Sequence, residues 1–270
     1  MSSKISNVES DRFFDGDVAF LSKDGMLFKV KSFNLEFTST GFPPSAVKSD
    51  EDAATPIPLE EDSKTLDIVF SFAYPDLPLP DMNSLSFEDL LKVAIAADKF
   101  GMQHGLEMTF GHFYKFVMTH PNEIFAIAVK QDSAALIAAV APYLVSLSVK
   151  ELCSAGISNR LAVKWSIFRE EWIFALLAGQ KDLGRHDGCL FWRETIKPRL
   201  HKRLFTTTGI AVISVQGYQI GDQPTVQSIW AEALELLQGE RAIGIACCVA
   251  ELEHWAHCTL HGLALVQFPV

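Results

Sequence analysis

The chain has 270 residues, and 33 acidic side chains against 23 Lys and Arg leave it with a formal charge of -10. With 49% hydrophobic and 21% charged residues it is no disordered tail, and its 20 phenylalanines demand a packed interior. The acidic balance argues against nonspecific binding to nucleic acid or anionic membranes, so neither is expected as a partner.

The first residues, MSSKISNVESDRFFDGD, are polar and acidic and lack the apolar core of a secretory signal. Two strands are expected next, Asp17 to Leu21 and Met26 to Val30. They are joined at Asp24-Gly25, a hairpin step because both residue types tolerate positive φ. Phe33 to Phe37 reads as a short helix, broken by Gly41-Phe42-Pro43-Pro44. Ile57 and Leu59 alternate with Pro58 and Glu60 as a short edge strand, because proline has no N–H to give a central ladder.

A helix is expected after Asp62 or Ser63, with Leu66, Val69, Phe70 and Ala73 on its buried side, and Pro75 stops it. Ser86-Phe87-Glu88-Asp89 has capping-box spacing ahead of Leu90, Leu91 and Ala94. Leu106, Phe110, Phe113 and Val117 mark a further amphipathic helix.

Past His120-Pro121 the signals are helical. Ile124, Ile127 and Ala128 form one stripe, and Leu136, Val140, Tyr143, Leu144 and Leu147 another. Ser148 to Glu151 gives a second capping box, and Leu161, Trp165, Phe168 and Trp172 a core-facing helix. FTTTGIAVISVQGYQI is β-like in composition, and Val226 to Leu237 is helical again. The closing LALVQFPV is apolar enough to require burial, in the chain or against a partner. The expected division is 13–120 and 121–270, the second part helical and ill-defined after about residue 205.

The five cysteines, Cys153, Cys189, Cys247, Cys248 and Cys258, form no even disulfide framework. With the polar N-terminus and apolar runs too short to span a bilayer, they make cytoplasm or nucleus the expected location.

Chemistry is sparse. The chain has no Gly-x-Ser-x-Gly, no Gly-x-x-x-x-Gly-Lys and no dinucleotide glycine motif, so neither an enzyme nor a bound cofactor is expected. Glu60-Glu61-Asp62 is best read as a strand end and a helix start, and Glu170-Glu171 as the wet face of the Trp165 helix. The densest segment is Cys247-Cys248 with His254, His257, Cys258 and His261. On a helix the last four share a face and are zinc-ligand types, but one helix does not easily wrap a tetrahedron. A packed or solvated helix outweighs a metal site there. A zinc- or thiol-dependent enzyme in the C-terminal third is the rival from a different class. Lys197, Arg199, His201, Lys202 and Arg203 form the basic cluster, read as a solvated face.

Three stretches together, DVAFLSKDGMLFKVKSFNL, PIPLEEDSKTLDIVFSFAYP and LSFEDLLKVAIAADKFGM, resemble the BTB/POZ domain. The matching residues are Asp17-Val18, Asp24-Gly25, Phe28, Tyr74-Pro75 and Ala96-Ala97-Asp98-Lys99-Phe100, in family order. The set is most similar to fungal BTB proteins carrying a helical extension. Lys31-Ser32 stands where many members have His-Lys, and the short SAVKSDEDAATP follows the first helix.

The resemblance implies an α+β fold, a small mixed sheet flanked by helical hairpins, followed by an all-α extension. It also implies a protein–protein interaction module, a self-associating scaffold or adaptor. Phe13, Phe14, Phe33, Leu35 and Phe37 then fall in the region through which BTB domains form homodimers. Leu77, Leu79 and Met82 lie near the loop that contributes to cullin binding in several BTB adaptors, which makes a cullin scaffold the second expected partner.

Overall fold

Alternation starts the fold. The structure, a computed structural model, describes residues 8–42, 55–206, 209–210, 226–239 and 245–269. Within them β2 (Val18–Leu21) and β3 (Met26–Val30) form the expected antiparallel hairpin, with Phe20 opposite Phe28 and Val18 opposite Val30. All four of these side chains are buried, so one face of the hairpin carries the core.

The turn differs in detail from a two-residue Asp-Gly loop. Ser22 bonds Met26 across it, Gly25 has φ +86°, and Asp24 keeps negative φ. That is a three-residue loop with glycine in the left-handed position. Asp24 serves elsewhere, accepting from the Ser63 N–H at 2.8 Å and the Ser63 hydroxyl at 2.6 Å.

Short strands flank the hairpin: β1 (Val8–Glu9) runs parallel to β3, and β4 (Ile57–Pro58) runs parallel to β2. The sheet order is β1-β3-β2-β4, so Pro58 lies on an edge, where its missing N–H costs nothing. Helix α1 (Ser32–Thr38) leaves β3 directly.

Helix α2 (Ser63–Ser71) is capped by Asp62, which accepts from the Thr65 N–H at 2.8 Å. Burial pulls the Asp62 carboxyl upward, but the Thr65 N–H and hydroxyl and the Lys92 ammonium outweigh it, leaving it below its ordinary value. Glu60 and Glu61 both reach Lys99, at 3.5 and 2.8 Å. The acidic trio is thus a helix cap and an ion-pair rim. Asp62→Ala is expected to lower stability by about 1 kcal/mol at neutral pH. Because the folded carboxyl titrates below the unfolded one, that contribution is complete above the unfolded pKa of about 3.9. It disappears as pH falls through the folded value, so urea melts of the two proteins should converge in acid.

Helices α3 (Phe87–Lys99) and α4 (Gln103–Phe113) pack as a pair against this layer. The Ser86 hydroxyl accepts from the Asp89 N–H at the start of α3. Phe70 of α2 lies at the centre of the core, ringed by Phe13, Phe20, Phe28 and Phe42. This α+β arrangement makes up one compact unit, residues 1–115, and residues 116–270 form the other.

The second unit is mainly helical. Its helices are α5 (Pro121–Lys130), α6 (Ala134–Leu144), α7 (Val149–Ser154) and α8 (Asn159–Asp182), followed by α9 (Lys197–Leu204), α10 (Val226–Gly239) and α11 (Ile245–Ala264). Ser148 and Glu151 make the full reciprocal capping box of α7. Trp165 and Phe168 of α8 are buried against Phe125 and Phe268, so part of the apolar terminus is covered within its own unit. Leu265 beside it stays exposed.

Of the β-like stretch, only a two-strand ladder, β5 (Phe205–Thr206) with β6 (Gly209–Ile210), falls among the described residues, and the remainder lies outside them. Among the described residues no helix is long and apolar enough to cross a membrane.

Candidate functional site

Three apolar residues at i, i+2 and i+4 cannot share one helix face, and α1 shows the result. Leu35 turns inward at 3% exposure, while Phe33 and Phe37, one turn apart, stand outward at 75% and 85%. Phe14, between β1 and β2, is 58% exposed, whereas Phe13 is buried against Phe28, Phe70 and Tyr74. Phe13 and Leu35 are therefore corrected from surface candidates to core residues. On α1 the helical period is the reason; at Phe13 and Phe14 it is an irregular segment that turns the first ring in and leaves the second out.

The proline loop divides in the same way. Met82 opens a short turn, Met82–Ser84, and is buried at 4%, so it too moves from the contact set to the core. Lys115 holds that turn through the carbonyl oxygen of Asn83 at 2.8 Å. Leu79 remains exposed and Leu77 half-buried. Arg12 anchors the loop by donating to the Pro78 carbonyl at 2.8 Å.

In the second unit, α11 puts His254, His257, Cys258 and His261 at the expected helical spacing, but among the described residues they do not gather as ligands. His257 and His261 stack on each other at 6.3 Å between ring centroids, both exposed. His254 meets Arg185 at 2.7 Å and the Cys258 thiol at 3.6 Å. The basic cluster on α9 stays at the surface in part, with Arg199 and Lys202 lining a cleft of about 560 Å³ beside Glu232.

A different group does gather. His186, Cys189, Cys247 and Cys248 bring one nitrogen and three sulfurs within 4.8 Å of one another. His186 and Cys189 come from the loop after α8, where the Cys189 N–H closes a turn on the His186 carbonyl at 3.0 Å. Two fastenings hold this loop to the helical run at residues 190–204. Trp192 Nε1 donates to the Leu183 carbonyl at 3.1 Å, and Lys197 pairs with Asp187 at 2.7 Å. The run contains a π-helical segment, Trp192–Ile196, immediately after the loop.

Cys247 and Cys248 occupy the first turn of α11, and Cys189 immediately precedes the run at 190. The Cys189 thiol therefore meets the positive end of that run. The Cys189 thiol is held below its usual value, chiefly because the backbone N–H of Trp192 points at it. Burial pushes Cys248, 3.5 Å away, up to about 12. His186 leans edge-on against Trp192, and its Nε2 is buried with no hydrogen-bond partner. The residues missed in the sequence are His186 and Cys189. Their His-x-x-Cys spacing was visible, but its meeting with a Cys-Cys pair on a distant helix was not.

The structural class is an α+β unit with a small four-stranded mixed sheet, joined to a helical unit. Comparison with protein-family models, with curated proteins and with solved structures finds no match.

Proposed function

We propose that the N-terminal unit is a BTB/POZ-type interaction domain and that the chain is a self-associating scaffold whose copies meet through α1. The observation that carries this reading is the pair Phe33 and Phe37, two large apolar side chains left almost wholly to solvent one turn apart. Covering each would contribute about 1.5–3 kcal/mol. A two-fold dimer presents the same patch from both sides, so one helix face supplies four rings to a single seam. The element order supports the family: a hairpin, a short helix, an edge strand, then α2, α3 and α4.

Light scattering of the full chain over a range of concentrations should show a dimer, and Phe33→Ser with Phe37→Ser should shift it to monomer. Because both side chains are exposed in the single chain, the double variant should keep the far-ultraviolet circular dichroism of the wild type. A wild-type monomer at high concentration, or a double variant that still dimerises, would reject the reading. The adaptor reading, recruitment by a cullin-type ubiquitin ligase, draws on the anchored loop with exposed Leu79. Capture of a purified cullin N-terminal domain by the monomeric double variant would favour it over the scaffold.

A further inference from the structure

A zinc ion bound by thiolate and imidazole makes bonds of about 2.3 Å to sulfur and 2.0–2.1 Å to nitrogen. In a tetrahedron those bonds place ligand atoms about 3.6–3.8 Å apart. The Cys189 and Cys248 sulfurs are 3.5 Å apart, and the whole set of four lies within 4.8 Å. Closing on a metal therefore needs shifts of an ångström or less. We propose that His186, Cys189, Cys247 and Cys248 form a Cys3His site that binds one Zn²⁺ as a structural staple of the helical unit.

Four independent features converge on it. The ligand types are those zinc prefers, and no carboxylate is among them. They arrive from two segments, a His-x-x-Cys turn and the first turn of α11, which gives the wrap that one helix cannot provide. A ring nitrogen of His186 is buried without a partner, a cost that a metal bond or an orienting contact to a metal-bound ring would remove. Finally, three thiolates and one neutral imidazole around Zn²⁺ leave a net negative charge, and the start of the helical run at 190, beside Cys189, stands where that charge would be stabilised.

All four tetrahedral positions come from the protein, and no position is left for water or substrate. Such a closed site ties structure together and performs no reaction. Here it would fasten the 183–189 loop to the start of α11. That loop already carries the Asp187–Lys197 pair and the Trp192–Leu183 bond, so the ligands meet the metal from a backbone held in place. The proposal is independent of how the N-terminal unit associates.

The test uses the full chain, expressed and purified without chelator and kept reduced. Elemental analysis should find about one zinc per chain. Replacing the zinc by Co²⁺ should give the visible absorption of a tetrahedral site together with thiolate-to-cobalt charge transfer. Cys247→Ser is the informative variant, because its side chain is exposed and the fold does not depend on packing it. It should weaken metal retention at least tenfold, and Cys189→Ser should do the same. His257→Ala and His261→Ala should retain the full metal content, since neither belongs to the group. Less than one zinc per several chains with no cobalt–thiolate band, or full zinc retention in both serine variants, would overturn the proposal.

Discussion

Replacing Phe70 by Ala is expected to cost the N-terminal unit about 3–5 kcal/mol. The side chain has no solvent exposure and sits where sheet and helices meet, with ring centroids of Phe20 and Phe28 each at 5.4 Å, Phe13 at 5.8 Å and Phe42 at 6.0 Å. Collapse into the hole is restricted on every side. Phe20 and Phe28 are locked opposite each other by the hairpin register, and Phe42 is stacked on Phe100 at 4.3 Å. The cavity term therefore adds nearly in full to the lost transfer energy. Domains of this size have about 5–15 kcal/mol of stability in total, so the variant should unfold well below the wild type in urea. Phe70→Leu, which keeps most of the volume, should cost clearly less. The full chain has two units, so the transition to follow is the one reported by circular dichroism and by protease sensitivity of the first unit. A loss under about 1 kcal/mol would mean that the five-ring cluster is not the structural centre of that unit.

The elements legible in the sequence share one property: their signal is local. The Asp24-Gly25 step, the Asp62 cap, the Ser148–Glu151 box and the stripe Leu161, Trp165, Phe168, Trp172 each depend on neighbours within a turn or two, and all appear where expected. Sorting Leu35 from Phe33 and Phe37 required only the helical period applied inside the apolar cluster, whereas Phe13 and Phe14 lie in an irregular segment between β1 and β2 where no period applies. Met82 was obscured for another reason. Its turn is fixed by Lys115, 33 residues later, which reaches its carbonyl as well as those of Asn83 and Leu85.

The His/Cys group marks the limit of what sequence could give. The histidines and cysteines of α11 lie close in sequence. The side chains that gather instead come from two places 58 residues apart, a distance no periodicity spans. A metal site needs side chains from more than one segment. Only the fold could show which segment supplied the other half.

Trp165→Ala is expected to be the most damaging single change in the helical unit, at about 4 kcal/mol. Trp165 is completely buried at the middle of the α5–α8 packing, with Phe125 at 5.6 Å, Phe168 at 5.9 Å and Phe268 at 6.0 Å between centroids. Its indole N–H donates to the Leu147 carbonyl at 3.2 Å, so truncation opens a large hole and also strands a part-buried acceptor. Trp165→Phe separates the two effects: it restores much of the apolar volume and still leaves the carbonyl without its donor, so its cost should fall near 1–3 kcal/mol. Phe268→Ala removes a ring from the same cluster but from a tail segment that follows α11. Water and neighbouring side chains can enter there more easily, and its cost should lie below that of Trp165→Ala. Denaturant melts of the three variants, followed at the second unit by tryptophan fluorescence and by hydrogen exchange of α8, should therefore rank Trp165→Ala as the least stable. If Phe268→Ala proved as damaging as Trp165→Ala, the C-terminal tail rather than α8 would be the keystone of the helical unit.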